Sequence, residues 1–272
     1  MKIGYVTSGF TNHNINEVIR ILNKLGYNGL ELVLDKQHYH PYYSSSIKDI
    51  KKIIKQNGME VVVGTGGRFA LTEIKHEPTF VNPDEKGRRD RIEFTKKAID
   101  TCVELDGSVV TGHSGKLQDD LSPVTAEQWL IEGLSEVHDY ANDFGITFAL
   151  EPEPGMFIQS LNDWFSINKQ INVGFCLDIG HVFCTEDDPI TVVDNSAKLA
   201  DNIHIEDIKD QLHKHLLLGD GDIDFGKVLP LISHVDCMVN VELHDYSNVA
   251  ETTAKESIDK IRSILRDCRK ST

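Results

Sequence analysis

Short apolar runs alternate with longer amphipathic runs along the whole chain. Eight of the short runs consist mostly of valine, isoleucine, leucine and phenylalanine, as strands buried on both faces do. They span residues 2–7, 29–33, 60–64, 108–112, 146–151, 173–178, 202–206 and 237–242. The pattern predicts eight strands of a parallel sheet.

The runs between these strands have apolar residues three and four positions apart, which predicts helices with one apolar side. The first of them carries Ile15, Val18 and Leu22. Two of the predicted helices are followed by a glycine just before the next strand, at Gly26 and Gly145. Glycine at that position is a common signal for the C-terminal end of a helix.

Eight strand–helix units in 272 residues predict an α/β protein with a single (β/α)8 TIM barrel. A doubly wound open sheet is the main rival. No Gly-x-Gly-x-x-Gly motif follows the first predicted strand, which argues against the dinucleotide-binding form of that rival and against a nucleotide cofactor. Because the chain has no repeats, linkers or low-complexity segments, we expect residues 1–272 to form one domain.

The composition is that of an ordinary globular protein, with 40% hydrophobic and 26% charged residues. The 28 basic and 43 acidic residues give a formal net charge of −15, which repels phosphate backbones and disfavours a nucleic-acid partner. The first residues lack the layout of a signal peptide, and no apolar run is long enough to span a bilayer. We therefore expect a cytoplasmic protein with no membrane partner.

One connection is unusually long and lacks helical periodicity. It follows the third predicted strand and spans residues 65–84, TGGRFALTEIKHEPTFVNPD. Loops of this length in a compact domain are usually functional or disordered, and this one contains aromatic residues and Arg68 rather than glycine and serine alone. We expect this lid segment to cover the mouth of the barrel.

Polar side chains stand at the carboxyl ends of the last five predicted strands: His113, Glu151, Asp178, His204 and Glu242. In a parallel barrel these ends converge on one rim, where carboxylates repel one another unless a cation lies between them. Glu151, Asp178, His204 and Glu242 are therefore the predicted ligands of a divalent metal. Three oxygen donors and one nitrogen suit Mn²⁺, Zn²⁺, Co²⁺ or Mg²⁺.

Several segments, taken in order, resemble the xylose isomerase-like TIM barrels, the superfamily of sugar isomerases and epimerases that also contains endonuclease IV. The segments are ALEPEP, CLDIGH, NIHIED, GDGDIDF and VNVELHD, and the resemblance covers essentially the whole chain. It implies that Glu151, Asp178, His204 and Glu242 bind one divalent metal. It also implies that the two glutamates exchange protons with a substrate carbon from opposite faces.

The function expected from this resemblance is a metal-dependent isomerase or epimerase of a sugar, sugar phosphate, sugar acid or polyol. Glu151 or Glu242 would remove a proton next to a metal-bound carbonyl, giving an enediolate, and the other glutamate would return one. A dehydratase of a keto-polyol uses the same first step. His181 is expected to contact the substrate or the outer shell of the metal, and Arg68 and Lys209 are weaker candidates for substrate binding. A homo-oligomer is compatible with the sequence.

The histidine-rich part of residues 201–225 supports a second hypothesis. In endonuclease IV, the positions that match His181, His213 and His215 hold a further zinc ion, with an aspartate in place of His213. The segment around His113 resembles one that supplies a ligand to another zinc. That enzyme also needs a histidine after its third strand, where this chain has glycines. A second metal at these histidines would favour hydrolysis of a phosphoester.

Two further charged features leave alternatives open. Glu31, in the second predicted strand, points into the barrel to pair with a lysine or histidine, or lies on the rim. The basic run from Lys86 to Arg91 is the exposed start of a helix or an anion site for a sugar phosphate.

Overall fold

The structure, a computed structural model, describes residues 1–44 and 46–270. Eight strands within this part of the chain form one parallel sheet. They are β1 Lys2–Tyr5, β2 Gly29–Val33, β3 Glu60–Gly64, β4 Val109–His113, β5 Thr147–Glu151, β6 Gly174–Asp178, β7 Asn202–Ile205 and β10 Met238–Val241. Two further strands, β8 Asp207–Lys209 and β9 Leu212–Leu216, form a separate antiparallel hairpin.

The sheet closes into a barrel. Its hydrogen-bonded order is β1-β10-β7-β6-β5-β4-β3-β2, and a parallel bridge between Val6 and Glu31 brings the two outer strands together. All eight strands run in the same direction, so their carboxyl ends lie on one rim. This confirms the predicted (β/α)8 TIM barrel, and the strand boundaries differ from the predicted ones by one or two residues.

Nine α-helices surround the barrel within the described residues. They are α1 Ile15–Leu25, α2 Lys48–Gln56, α3 Glu85–Glu104, α4 Pro123–Asp143, α5 Leu161–Ile171, α6 Ile179–Thr185, α7 Pro189–Ser196, α8 Phe225–Ile232 and α9 Ala250–Lys270. The helices turn apolar faces inward, as Val18 and Leu22 of α1 do, and these residues form one continuous core with the outer face of the sheet. None of these helices is both long and apolar enough to cross a bilayer.

The hairpin β8–β9 was not among the predicted elements. It is held by the carboxylate of Asp207, which is completely buried and accepts hydrogen bonds from the backbone amides of Gly219, Gly221 and Ile223 at 2.7–3.1 Å. These bonds fold the glycine-rich loop back onto the strand end. As a result, β9 stands beside the rim of the barrel.

The lid segment contains no helix or strand. The buried guanidinium of Arg91 in α3 fastens it, donating hydrogen bonds to the backbone carbonyls of Pro78 at 2.7 Å, His76 at 3.1 Å and Thr65 at 3.3 Å. Arg91, the last residue of the basic run, is therefore not part of an exposed helix start. Its N–H groups are already bonded to backbone carbonyls of the lid segment.

Candidate active site

Four side chains from four neighbouring strands meet at the rim. His204 of β7 is at their centre: its Nδ1 lies 3.1 Å from Glu151 Oε1, 3.2 Å from Glu242 Oε2 and 3.9 Å from Asp178 Oδ2. One ligand atom from each of the four residues lies within 4.8 Å of all the others. The structure thus brings together the four side chains that the sequence analysis proposed as metal ligands, and we call them the strand-end cluster.

The register of the sheet produces this cluster. Asp178 of β6 pairs with His204 of β7, so the two side chains leave the sheet at the same level. In the two strands that follow β6 in the sheet order, His113 of β4 pairs with Glu151 of β5. Asp178 also accepts a hydrogen bond from the backbone amide of His181 at 2.6 Å and so begins helix α6. Its second oxygen, Oδ2, is buried and has no hydrogen-bond partner.

Glu31 holds His204 from inside the barrel. Its Oε2 lies 2.7 Å from His204 Nε2 and accepts a hydrogen bond from Asn202 Nδ2 at 3.0 Å, while its Oε1 accepts one from Thr111 Oγ1 at 2.6 Å. Glu31 is 2% exposed, so of the two alternatives for this residue the structure has the one inside the barrel. The carboxylate holds the proton on Nε2, so Nδ1 is the nitrogen that faces the cluster and that would give up its proton to bind a cation.

The electrostatics of the cluster separate the two glutamates. Burial raises the pKa of Glu151, and this effect exceeds the opposing attraction of His204. At Glu242 burial also raises the pKa, but the charges of His204 and His244 outweigh it and hold the pKa well below its ordinary value. A divalent cation among these oxygens would favour the ionised form of both groups.

The donor set fits such a cation. Three carboxylates and one imidazole with a bare nitrogen are ligands that first-row divalent metals accept. The unpartnered Oδ2 of Asp178 lies 3.9 Å from His204 Nδ1. Buried carboxylate oxygens without a partner are costly, and a bound cation would remove that cost.

A second group of ligand atoms lies beside the first. His181, His213 and His215, which we call the histidine trio, have ring nitrogens within 4.8 Å of one another. His181 Nδ1 donates a hydrogen bond to the Pro152 carbonyl at 2.9 Å, so Nε2 is the nitrogen that faces the other two rings. That Nε2 forms a hydrogen bond of 2.9 Å with His213 Nε2. The structure therefore brings the trio together through helix α6 and strand β9.

His113 belongs to neither group. It is 8% exposed, and neither of its ring nitrogens has a hydrogen-bond partner. Its ring packs edge-on against His76 of the lid segment, with 5.0 Å between centroids. The lid segment begins with glycines after β3, and ten residues later it turns back and places His76 at the site. No sequence pattern predicted this turn, because the lid segment has no regular periodicity.

The trio and all of the strand-end cluster except Asp178 line a single cavity with about 650 Å³ of empty space, part of it open to solvent. Arg68 lines this cavity, whereas Lys209 is exposed on β8 and is not part of its wall. Four ionisable wall residues were not predicted to form the site. They are Lys75, His76, Glu153 and His244.

Two of these unpredicted residues stand close to predicted ones. His244 Nε2 lies 2.9 Å from Glu242 Oε1, and its ring packs on His215 with 4.3 Å between centroids. Its position two residues after Glu242, in the segment VNVELHD, is the signal that would have identified it. Glu153 lies two residues after Glu151, and burial raises its pKa to about 7.

Comparison with known proteins places this geometry in context. A family model described as xylose isomerase-like TIM barrel matches residues 19–264. Fructoselysine 3-epimerase of Escherichia coli O157:H7 is 23% identical over 280 residues, which cover 97% of this chain and 98% of that protein.

Two solved structures share the fold along nearly their whole length. A D-tagatose 3-epimerase-like protein superimposes with a TM-score of 0.81 at 22% identity, covering 98% of this chain and 99% of its own. The IOLI protein with a bound zinc atom superimposes with a TM-score of 0.80 at 20% identity, with the same coverage of both chains.

Proposed function

The chain belongs to the xylose isomerase-like TIM barrel family, and from that premise we propose that it is a divalent-metal-dependent epimerase or isomerase of a sugar or sugar derivative. The observation that carries this proposal is the pair of glutamates that flank His204. Glu151 and Glu242 approach its Nδ1 from different strands at 3.1 and 3.2 Å, at the bottom of one cavity.

The metal would be held by Glu151, Asp178, His204 and Glu242. When bound, it supplies positive charge that stabilises the negative charge developing on a substrate oxygen next to the carbon that loses a proton. Glu31 accepts a hydrogen bond from the Nε2–H of His204 and so orients the ring with Nδ1 toward the cluster. The zinc atom bound in the IOLI protein supports a divalent ion in this fold.

The glutamates would move the protons. Glu151 is on β5 and Glu242 on β10, with β6 and β7 between them in the barrel, so their carboxylates reach the cavity from different directions. One carboxylate removes the proton from a substrate carbon, and the other returns a proton to the opposite face, which inverts that carbon. Return to the neighbouring carbon gives isomerisation, and loss of an adjacent hydroxyl gives dehydration.

Water must be kept away from the carbanion-like species while it exists. The lid segment contributes Arg68, Lys75 and His76 to the cavity wall, and closure of this segment over the substrate would exclude water. The epimerase named among the relatives acts on a sugar derivative and matches almost the full chain, which supports a carbohydrate substrate.

Exchange of carbon-bound hydrogen with solvent tests the proposal directly. The chain, reconstituted in turn with Mn²⁺, Zn²⁺, Co²⁺ and Mg²⁺, would be incubated with a panel of ketoses and sugar acids in deuterated water and followed by proton NMR. We expect loss of the signal next to the carbonyl for at least one sugar, dependent on metal. Absence of exchange across the panel, together with hydrolysis of a phosphoester, would refute it.

The histidine trio favours a second candidate, a metal-dependent phosphoester hydrolase. Two imidazole nitrogens that share a proton at 2.9 Å are placed to share a cation once that proton is lost, and two neighbouring metals suit attack of hydroxide on phosphorus. Elemental analysis of the metal-loaded chain separates the candidates. One ion per chain, unchanged by the double substitution His213→Ala/His215→Ala, supports the epimerase; two ions, one of them lost in that variant, support the hydrolase.

A further inference from the structure

The wall of the active-site cavity carries both carboxylates and cations. Glu151 and Glu242 come from the barrel, and the lid segment brings two cations, Arg68 and Lys75, to the same cavity. We call the part of the wall that the lid segment lines the cationic end. The chain has a net charge of −15, so these cations give this part of the wall a charge opposite to that of the whole molecule.

Beneath these cations lies a buried polar side chain without a partner. His113 is 8% exposed, lines the cavity, and has no hydrogen bond at either ring nitrogen. Leaving both nitrogens unsatisfied costs free energy, which a ligand accepting a hydrogen bond would recover. His76 packs edge-on against it and also has an unpartnered buried nitrogen, Nδ1.

The cationic end is held in shape by the chain. The backbone amide of His76 donates a 2.7 Å hydrogen bond to the Arg68 carbonyl, which closes the lid segment into a loop and brings the flanking residues together. Arg91 fixes the base of this loop through the carbonyls of His76 and Pro78. A site assembled before the ligand arrives loses less conformational entropy on binding.

Few carboxylates neutralise this end. Arg68 has only a long contact of 3.8 Å with the exposed Asp245, and among the described residues no carboxylate oxygen lies within 4.0 Å of the Lys75 ammonium. Glu153 also lines the cavity, but among the described residues it forms no ion pair with either cation. Burial, helped by cationic groups such as Lys75 and Arg91, lowers the pKa values of both His76 and His113.

We infer that Arg68, Lys75, His76 and His113 form an anion subsite, which binds a phosphate or carboxylate group of the substrate. This inference rests on the proposed function, because it places the reacting carbon at the strand-end cluster. It narrows the substrate to sugars that carry an anionic group. The two anions share the chemistry of a charged hydrogen-bond acceptor.

Calorimetric titration with inorganic phosphate tests the subsite without turnover. The full chain is titrated as purified and again after metal chelation, with Lys75→Met and Arg68→Met as test variants. Lys209→Met is the matched control, because Lys209 is an exposed lysine outside the cavity wall. We expect binding that survives chelation, weakens about tenfold in each test variant, and is unchanged in the control.

Phosphate binding that disappears on chelation, or that Lys75→Met and Arg68→Met leave unchanged, would overturn the inference. The anionic group that the subsite recognises is then identified by comparing the binding of D-fructose, D-fructose 6-phosphate and D-fructuronate. Tighter binding of the phosphate ester assigns the subsite to phosphate, and tighter binding of the uronate assigns it to carboxylate. Equal binding of all three sugars argues against the subsite.

The subsite and the proposed function fail separately. Deuterium exchange in neutral ketoses without any gain for the anionic sugars would defeat this inference alone. Anion binding without exchange in any sugar would defeat the proposed function alone.

Discussion

The strand-end cluster and the lid segment face each other across one cavity, yet they are held in place in different ways. Asp178 and His204 are each 2% exposed and stand on strands whose ladders fix both level and direction. Lys75 and Arg68 are exposed and stand on a segment without helix or strand, fastened mainly by Arg91. The barrel thus fixes the positions of the residues proposed to perform the chemistry. Only a few contacts fix the positions of the residues proposed to select the substrate.

This difference has a consequence for function. A parallel sheet buried on both sides moves little, so we expect the geometry of the strand-end cluster to stay fixed when the lid segment closes over a substrate. We therefore expect substitutions in the strand-end cluster to act on turnover, and substitutions in the lid segment to act on substrate binding.

The largest effect is expected from the two glutamates. Glu151→Gln and Glu242→Gln each remove a proton-transfer group and should lower kcat by about 10²–10⁴-fold with little change in melting temperature. Arg68→Met should instead raise KM with a smaller change in kcat. Steady-state kinetics on the sugar identified by deuterium exchange checks this. Full turnover in both glutamine variants would exclude the two-base mechanism.

The fastening of the lid should give the next largest effect. Arg91→Met removes three hydrogen bonds to backbone carbonyls from a buried guanidinium, and we expect a loss of about 2–3 kcal/mol in the free energy of unfolding. Hydrogen exchange should rise across residues 65–84. Arg89→Met is the control, since Arg89 pairs with Glu136 on the surface. Equal exchange in the two variants would show that other contacts hold the lid.

A substitution of Glu31 tests how the barrel positions His204 of the strand-end cluster. Glu31→Gln no longer favours the Nε2–H tautomer of His204, so metal affinity should fall by about 10–100-fold. Competition with a metal-sensitive dye measures this without any substrate. Glu60→Gln is the control, because Glu60 forms an exposed pair with Lys2 at the start of β3. Unchanged affinity in Glu31→Gln would remove its positioning role.

The smallest effect concerns pH. Burial lowers the pKa of His76 to about 4, helped by the positive charge of Lys75. Between the ordinary pKa of about 6.5 and 4, the unfolded chain binds more protons than the folded one, so stability falls as pH drops through this window. In the His76→Asn variant, we expect the free energy of unfolding to fall by about 1–2 kcal/mol less between pH 7 and pH 4 than in the unchanged chain. Denaturant unfolding at pH 7 and pH 4 measures it, and an identical pH dependence in both proteins would contradict the assignment.

The order of elements and the strand-end cluster were both predictable from the sequence. Continuous apolar runs of strand length, separated by amphipathic helices, leave few folds other than a parallel barrel or an open sheet. Once the strands are parallel and in chain order, their carboxyl ends must share a rim. Glu151, Asp178, His204 and Glu242 therefore meet whatever the loops do.

The tertiary structure decided the rest. The pairing of Glu31 with His204 and the return of His76 to His113 join residues far apart in the chain. The hairpin that carries His213 is local in sequence, but it depends on hydrogen bonds from the glycine-rich loop to Asp207. Periodicity reports which face of an element is buried, but it carries no information about where an irregular segment turns back. The path of an irregular segment depends on single long-range contacts, such as the hydrogen bonds from Arg91. The acceptors of these bonds are backbone carbonyls, which every residue has, so the side chains of the segment do not reveal the contact.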